Sequence, residues 1–248
     1  MSQVSIILPY YKKKKFIKKS IESILNQSYR YFELIIIYDD EDHEDLKFIQ
    51  SLIKKDKRIK LIINKKNIGA GLSRNKGIKF SKGDYICFID ADDKWRNKKL
   101  EKQIEFMEAN NYLISHTSYK IINEKNNVIG FRKARTFKNL NELIKSCDIG
   151  LSTVILKKKI FKKNIKFPNL KTKEDFVLWL KILQSGHKIY ALDENLGIWT
   201  KANNSLSSSV FQKLKDSYRL YNHYLKFNPI KALIYTFILS INFILKNL

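Results

Sequence analysis

The chain has 248 residues, 48 Lys and Arg against 24 Asp and Glu, a formal net charge of +24 and a hydrophobic share of 44%. That apolar content excludes a disordered chain, and eight Gly and three Pro exclude collagen-like or proline-rich architecture. Two cysteines and four scattered histidines make neither a disulfide scaffold nor a Cys/His zinc site. The length suits one large domain, or one with a small appendage. The positive excess points to a polyanionic partner (nucleic acid, an anionic membrane or a phosphorylated substrate) or to a compositional bias spread over solvated faces.

In chain order, Val4 to Leu8 (VSIIL) reads as a buried strand closed by Pro9, too short for the apolar core of a secretion signal. Ile17, Ile21, Ile24 and Leu25 recur at helical spacing and predict an amphipathic helix over about residues 16–26. Leu34 to Tyr38 predicts a second strand, followed by a helix around 45–55, a third strand over 59–63 and a helix over about 70–80. A fourth strand, Tyr85 to Ile89, runs into Asp90, and a helix near 97–110 carries Leu100, Ile104 and Met107 on one stripe. Continuous apolar strands alternating with amphipathic helices imply a parallel sheet covered on both faces.

The second half is less regular. Strands are expected over 114–122, 128–132 and 151–156, and shorter ones over 189–192 and 196–199. Helices are expected over 139–146 and 174–185, the latter with Phe176, Trp179, Leu180 and Leu183 on one face. Ala232 to Leu245 is a charge-free run of 14 residues flanked by Lys226, Lys231 and Lys246. As a helix of about 21 Å it is too short for a hydrocarbon core of about 30 Å. It reads as an interfacial membrane helix, or as one that packs on the domain or on a second subunit.

The acids are clustered, with Asp39, Asp40, Glu41, Asp42, Glu44 and Asp45 after the second strand and Asp90, Asp92 and Asp93 after the fourth. Ligands of parallel α/β sheets bind outside the carboxyl ends of the strands, where both clusters fall. Asp90 and Asp92, two apart at a strand end, suit a hard divalent cation carrying a diphosphate, or the N-cap of the next helix. A carboxylate of the Asp39–Asp40 pair can accept from a nucleobase N–H or a ribose hydroxyl, whereas Glu41 to Asp45 reads as a solvated acidic loop. The Asn67–Asn75 stretch (NIGAGLSRN) fails the dinucleotide fingerprint because Arg74 stands at its sixth position, yet Arg74 can face a phosphate. Lys173-Glu174-Asp175 opens a helix, where acids complement the dipole or act as a general base.

Together these segments resemble the family 2 glycosyltransferases, inverting enzymes of the GT-A fold. The pieces in order are VSIILPYY, SIESILNQSY, FELIIIYDD, NIGAGLSRNKGIKFSKGDYICFIDADDKW and KEDFVLWLKIL, over roughly residues 1–200. The resemblance implies a Rossmann-like, mostly parallel central sheet with flanking helices and a smaller mixed C-terminal part. It implies that Pro9, Tyr11, Asp39 and Asp40 line the base and ribose pocket. Gly69, Arg74 and Asp90 would lie along the nucleotide-sugar, Asp90 and Asp92 would bind Mg2+ or Mn2+, and Asp175 would be the catalytic base. Residues 1–205 would form the glycosyltransferase domain, 1–110 taking the nucleotide-sugar and 111–205 the acceptor, and 206–248 a helical, membrane-associating segment.

The implied reaction moves a sugar, from a UDP-sugar, to a glycan or lipid-linked acceptor in cell-surface polysaccharide synthesis. The expected place is the cytoplasm, at the inner face of the plasma membrane, with peripheral contact through 227–248 and no nucleic acid partner. Departures from the family pattern are Lys12 after Tyr11, DDEDHED in place of a glycine-containing acidic turn, and WTKANNSLSSS after the last strand. Two other readings compete, a metal-dependent nucleotidyltransferase using the basic surface, and a non-catalytic basic membrane-peripheral protein on the same fold.

Overall fold

The computed structural model describes residues 2–161, 165–201 and 209–245. The first half alternates as β1 Val4–Tyr10, α1 Lys14–Leu25, β2 Phe32–Tyr38, α2 His43–Ile53, β3 Ile59–Ile63, α3 Ala70–Phe80 and β4 Tyr85–Phe88. There follow β5 Lys94–Trp95, α4 Lys99–Ala109, β6 Ile114–Asn123, β7 Val128–Arg132, the single turn α5 Leu140–Leu143 and β8 Ile155–Lys157. The chain continues with α6 Glu174–Gln184, β9 Tyr190–Lys201, α7 Val210–Arg219 and α8 Pro229–Leu245.

The strands form one sheet in the order β3-β2-β1-β4-β8-β6-β9-β5, with β7 beside β6. β3, β2, β1 and β4 are mutually parallel, as expected. β8 then runs antiparallel to both β4 and β6, so the mixed second half continues the parallel half as one surface.

The unbroken apolar strands still alternate in space. Val4, Ile6, Leu8 and Tyr10 of β1 face one core with Leu34 and Ile36 of β2, whereas Ile7, Ile35 and Ile37 face the other. The first face is closed by α1, α2 and α4 through Ile21, Ile49 and Ile104, and the second by α6 and α8 through Trp179 and Leu239. Trp95 and Trp179 are core residues, as are His116 and Cys87.

Several expected boundaries move for local reasons. β1 runs through Pro9 to Tyr10 and is not closed by it. The Ile7 carbonyl accepts from Ile89 and the Tyr10 carbonyl from Asp39, so by alternation Pro9 faces the β4 side, where pairing has already ended at Ile7. Its missing N–H therefore leaves no gap in the ladder. α2 begins at His43 because the Asp42 side chain accepts from the Glu44 and Asp45 N–H groups as its N-cap. The stretch expected as one strand over 151–156 begins as a 3-10 turn at Leu151–Thr153, closed by the Thr153 N–H on the Gly150 carbonyl. The two short strands expected over 189–199 are one strand, β9, with a bulge at Asp193-Glu194 where its register on β6 jumps from Thr117↔Leu192 to Ser118↔Asn195. The helix expected over 139–146 is only the turn α5, capped by the Asn139 side chain.

Candidate active site

The chemistry-bearing residues gather outside the carboxyl ends of β1, β2 and β4. The end of β2 is a hydrogen-bonded knot. The Asp39 carboxylate accepts from Asn64 Nδ2 at 2.7 Å, the Ile68 N–H at 2.9 Å and the Gly69 N–H at 2.8 Å. Asn67 Nδ2 donates to the Asp39 carbonyl at 2.8 Å, which ties the end of β2 to the loop before α3. Gly69 stands at φ +87°, a conformation open to glycine and strained for other residues. Asp40 accepts from the Lys12 N–H and the Glu41 N–H, each at 2.8 Å, and so holds the loop after β1. Tyr11 in that loop is half-buried, with Lys12 Nζ 5.3 Å from its ring centre.

Of the acids after Asp40, Glu41, Asp42 and Glu44 are exposed, as expected of a solvated acidic loop, and Asp45 departs from that expectation. Asp45 is buried, accepts from the Tyr10 hydroxyl at 2.5 Å and pairs with Lys14 at 3.0 Å. Asp42 caps α2, and those two backbone N–H groups hold its carboxyl below the usual carboxylate range.

A second constellation lies after β4. Arg74, on α3, is buried and bridges two carboxylates, with Nη2 2.6 Å from Asp90 Oδ1 and Nη1 2.7 Å from Glu174 Oε1. Burial opposes its charge, but Asp90 and Glu174 outweigh that and raise its pKa. The bridge joins the end of β4 to the first turn of α6. Gly71 permits the close approach of α3, since a Cβ there would lie 2.9 Å from the Pro168 carbonyl and 3.2 Å from Glu174 Cγ. Lys173, just before Glu174, adopts a left-handed backbone at φ +65°, a local strain that aims the α6 terminus.

Asp92 pairs with Lys13 at 2.6 Å, while burial and the nearby Asp90 raise its pKa. Asp93 is fully buried and accepts from Ser152 Oγ at 2.5 Å and the Thr200 N–H at 3.0 Å, which fastens β9 and the 3-10 turn to this loop. Burial pushes the Asp93 pKa well up. Ser152 Oγ also accepts from the Asp90 N–H at 3.1 Å. A cavity of about 90 Å³ beside Asp92 is lined by residues that include Lys15, Lys19 and Thr200.

At α6, burial pushes Glu174 up to about 7 against the pull of Arg74, with Asp175 adding to the rise. Burial also raises the Asp175 pKa, with Arg74 opposing and Asp90 contributing to the rise. The structure thus joins Arg74 to Asp90 and to Glu174, the chain neighbour of Asp175, whose own carboxylate accepts from the Phe176 N–H at 2.7 Å, and places Pro9, Asp39 and Asp40 in the strand-end scaffold.

Among the described residues no group of three or more His, Cys, Asp or Glu side chains is placed to hold a metal ion. Asp90 and Asp92 nevertheless fit a hard divalent cation that takes its other ligands from a diphosphate. Their oxygens are the right donors, and Lys13 shows that Asp92 already accepts a cationic partner.

Sequence reasoning missed Lys13, Ser152 and the bridging role of Glu174. Only the adjacency of Glu174 to Asp175 carried a signal, because Lys13 sits within a lysine run and Ser152 in an expected strand. Trp199 is 40% exposed at the end of β9. The departure noted in the segment after it falls mainly on 202–208, outside the described residues.

The sequence profile described as Glycosyl transferase family 2 matches residues 5–166. The chain is 31% identical over 230 residues to the putative teichuronic acid biosynthesis glycosyltransferase TuaG of Bacillus subtilis, covering 92% of this chain and 91% of that one. It is 36% identical over 236 residues to the Escherichia coli UDP-Glc:alpha-D-GlcNAc-diphosphoundecaprenol beta-1,3-glucosyltransferase WfgD, covering 94% and 90%. In fold it is similar to residues 1–349 of S. aureus TarS in complex with UDP-GlcNAc, with a TM-score of 0.75 at 22% identity, over 93% of this chain and 69% of that one. The curled mixed sheet is therefore the GT-A fold, and the chain belongs to the family 2 glycosyltransferases.

Proposed function

We propose that the chain is an inverting glycosyltransferase that moves a sugar from a UDP-sugar to a hydroxyl of a lipid-linked glycan in cell-surface polysaccharide synthesis. The observation that carries this reading is the Asp90–Arg74–Glu174 bridge, because one buried guanidinium locks the strand-end acid of the donor side beside the helix that bears Asp175. The named donor and diphosphoundecaprenol acceptor of WfgD, and the teichuronic acid role named for TuaG, support the nucleotide and acceptor class.

In this reading Pro9, Tyr11, Asp39 and Asp40 line the base and ribose pocket, and Gly69 and Arg74 lie along the nucleotide-sugar. Asp90 and Asp92 would hold Mg2+ or Mn2+, which when bound neutralises charge on the departing diphosphate. Asp175 accepts the proton of the acceptor hydroxyl while that oxygen attacks the anomeric carbon from the face opposite the diphosphate. The new glycosidic bond forms as the sugar–phosphate bond breaks, its electron pair leaves with the nucleoside diphosphate, and the anomeric configuration inverts. Burial raises the Asp175 pKa and so makes it a stronger base than a solvated aspartate. Residues 1–110 serve the donor, 111–205 the acceptor and 206–248 a C-terminal segment, and the protein works at the cytoplasmic face of the plasma membrane with peripheral contact through 227–248.

A panel of nucleotide-sugars, each with and without Mn2+, tests the reading by thermal shift, since ligands that bind the native state raise its melting temperature. A UDP-sugar that stabilises only with Mn2+, and that reacts with retention of this dependence to a product of inverted configuration by NMR, is the expected result. Equal stabilisation in EDTA, or a retained configuration, overturns it.

A further inference from the structure

The cavity beside Asp92 lies between α1, β5, the β6–β7 turn and the end of β9. Lys15 and Lys19, four apart on one face of α1, line it from the helix side. Lys94 lines it from β5, where it pairs with Ile198 of β9, two residues before Thr200. Glu124 and Asn126 of the β6–β7 turn close the wall. The cavity holds about 90 Å³. A single water needs about 10–15 Å³, so a larger polar group fits.

Its positive charge is not compensated. Two carboxylates line the cavity and each has a cationic partner, Asp92 in Lys13 at 2.6 Å and Glu124 in Lys15 at 2.7 Å. Lys94 Nζ donates to the neutral Asn126 Oδ1 at 2.9 Å, and among the described residues neither Lys94 nor Lys19 enters an ion pair. Lys19 and Lys120 of β6 both repel Lys94, so cations are crowded here. A hydroxyl gives an independent sign of a ligand. Thr200 is 5% exposed, and its Oγ1 is buried without a hydrogen-bond partner, while its N–H is taken up by Asp93. A buried hydroxyl left unpaired costs free energy unless a ligand oxygen satisfies it.

Two ammonium groups without an acid, beside a donor hydroxyl, match an oxyanion of two charges, whereas a carboxylate carries one. We propose that this cavity binds a phosphoryl group, and that the group belongs to the acceptor and not to the donor. Pro9, Tyr11, Asp39 and Asp40, the proposed base pocket, have no part in its lining, whereas Glu124, Asn126 and Thr200 come from the half proposed for the acceptor. Asp92 in the wall puts the phosphoryl group at the edge of the proposed cation site, near where the acceptor hydroxyl must attack. This rests on the acceptor reading above and adds the chemical group by which the acceptor is held.

Inorganic pyrophosphate is titrated into the full chain by calorimetry in EDTA, where no metal-held diphosphate contributes. Saturable binding is expected. Lys19→Gln/Lys94→Gln should weaken it about tenfold or more, whereas Lys54→Gln/Lys55→Gln, which removes two exposed lysines just after α2, should leave it unchanged. Thr200→Val should weaken it about threefold and keep or raise the melting temperature, because the hydroxyl it removes has no partner in the free protein. No binding by the wild type, an equal loss in the two lysine pairs, or a destabilised Thr200→Val overturns the proposal. Two further arms read the source of the phosphoryl group. Glucose 1-phosphate, a sugar bearing its own phosphoryl group, should compete with pyrophosphate, and the affinity for UDP with Mn2+ should be the same in Lys19→Gln/Lys94→Gln as in the wild type. Failure of glucose 1-phosphate to compete, or a matching loss of UDP affinity, would assign the cavity to the donor and overturn the proposal. Pyrophosphate binding needs neither donor nor transfer, so it can fail while the transfer reading holds, and transfer can fail while it persists.

Discussion

The acids after β2 and the acids around β4 and α6 look alike in sequence and differ in physics. Asp39, Asp40, Asp42 and Asp45 spend their oxygens on N–H groups, a tyrosine hydroxyl and a lysine of the scaffold. Asp92, Asp93, Glu174 and Asp175 are held where burial is the largest influence and raises their pKa values. A carboxylate saturated by N–H donors positions backbone, whereas one whose pKa is raised beside other acids is poised to exchange a proton or take up a cation. In the proposed mechanism the first group builds the floor of the cleft and the second carries its chemistry.

Substitutions should separate the two groups. The largest effect is expected from Asp175→Asn, a fall in kcat of about 10^2 to 10^4-fold with the melting temperature kept, read by steady-state transfer assays beside a thermal melt. Asp39→Ala should act chiefly on stability, with kcat kept and a raised KM for the donor whose pocket it lines. It strands the Ile68 and Gly69 N–H groups and costs about 3 kcal/mol, a drop of roughly 6–12 °C in Tm. If Asp39→Ala kept its Tm and lost only kcat, the division would break.

Gly71→Ala sharpens the boundary between them. Its Cβ meets the Pro168 carbonyl at 2.9 Å, so α3 must shift away from Glu174, at a cost of about 1–3 kcal/mol and with a partial loss of kcat as the Arg74 bridge loosens. The pH dependence follows from the raised carboxylates. As the proposed base, Asp175 must be ionised, so activity is expected to be lost as pH falls through a folded pKa that lies above the ordinary aspartate value of 3.8. The acid limb of kcat should therefore sit above the ordinary aspartate value and belong to the Glu174–Asp175 pair jointly. A limb at the ordinary value would contradict the burial argument. The smallest effect concerns stability. Glu174 is raised from 4.5 to about 7, so its contribution is present below pH 4.5 and lost as pH rises through about 7. Glu174→Gln should flatten that decline in denaturant titrations run from pH 4 to 8.

Much of this was legible in the sequence. The period of apolar residues placed β1 to β4 and their helices, and the strand ends located both acid clusters. What it could not distinguish was satisfaction from exposure. Asp39 and Asp92 are the same residue type at equivalent positions, and only the fold brings Asn64 and the Gly69 N–H to one and Lys13 to the other. The second half was harder because its pairings are long-range. The bulge at Asp193 interrupts the polarity pattern of β9, so one strand read as two. The Arg74–Glu174 contact spans 100 residues and has no local signature. Asp216 likewise reads as a surface helix acid until Thr172 is found against it.

The most direct test of the division of labour is to measure binding and turnover separately in two variants, using calorimetry of a UDP-sugar with Mn2+ and single-turnover transfer. Asp92→Asn should lose the Mn2+-dependent part of binding. Asp175→Asn should bind the donor as the wild type does and fail to transfer the sugar. Wild-type turnover in Asp175→Asn, or Mn2+-dependent donor binding untouched by Asp92→Asn, would contradict the account.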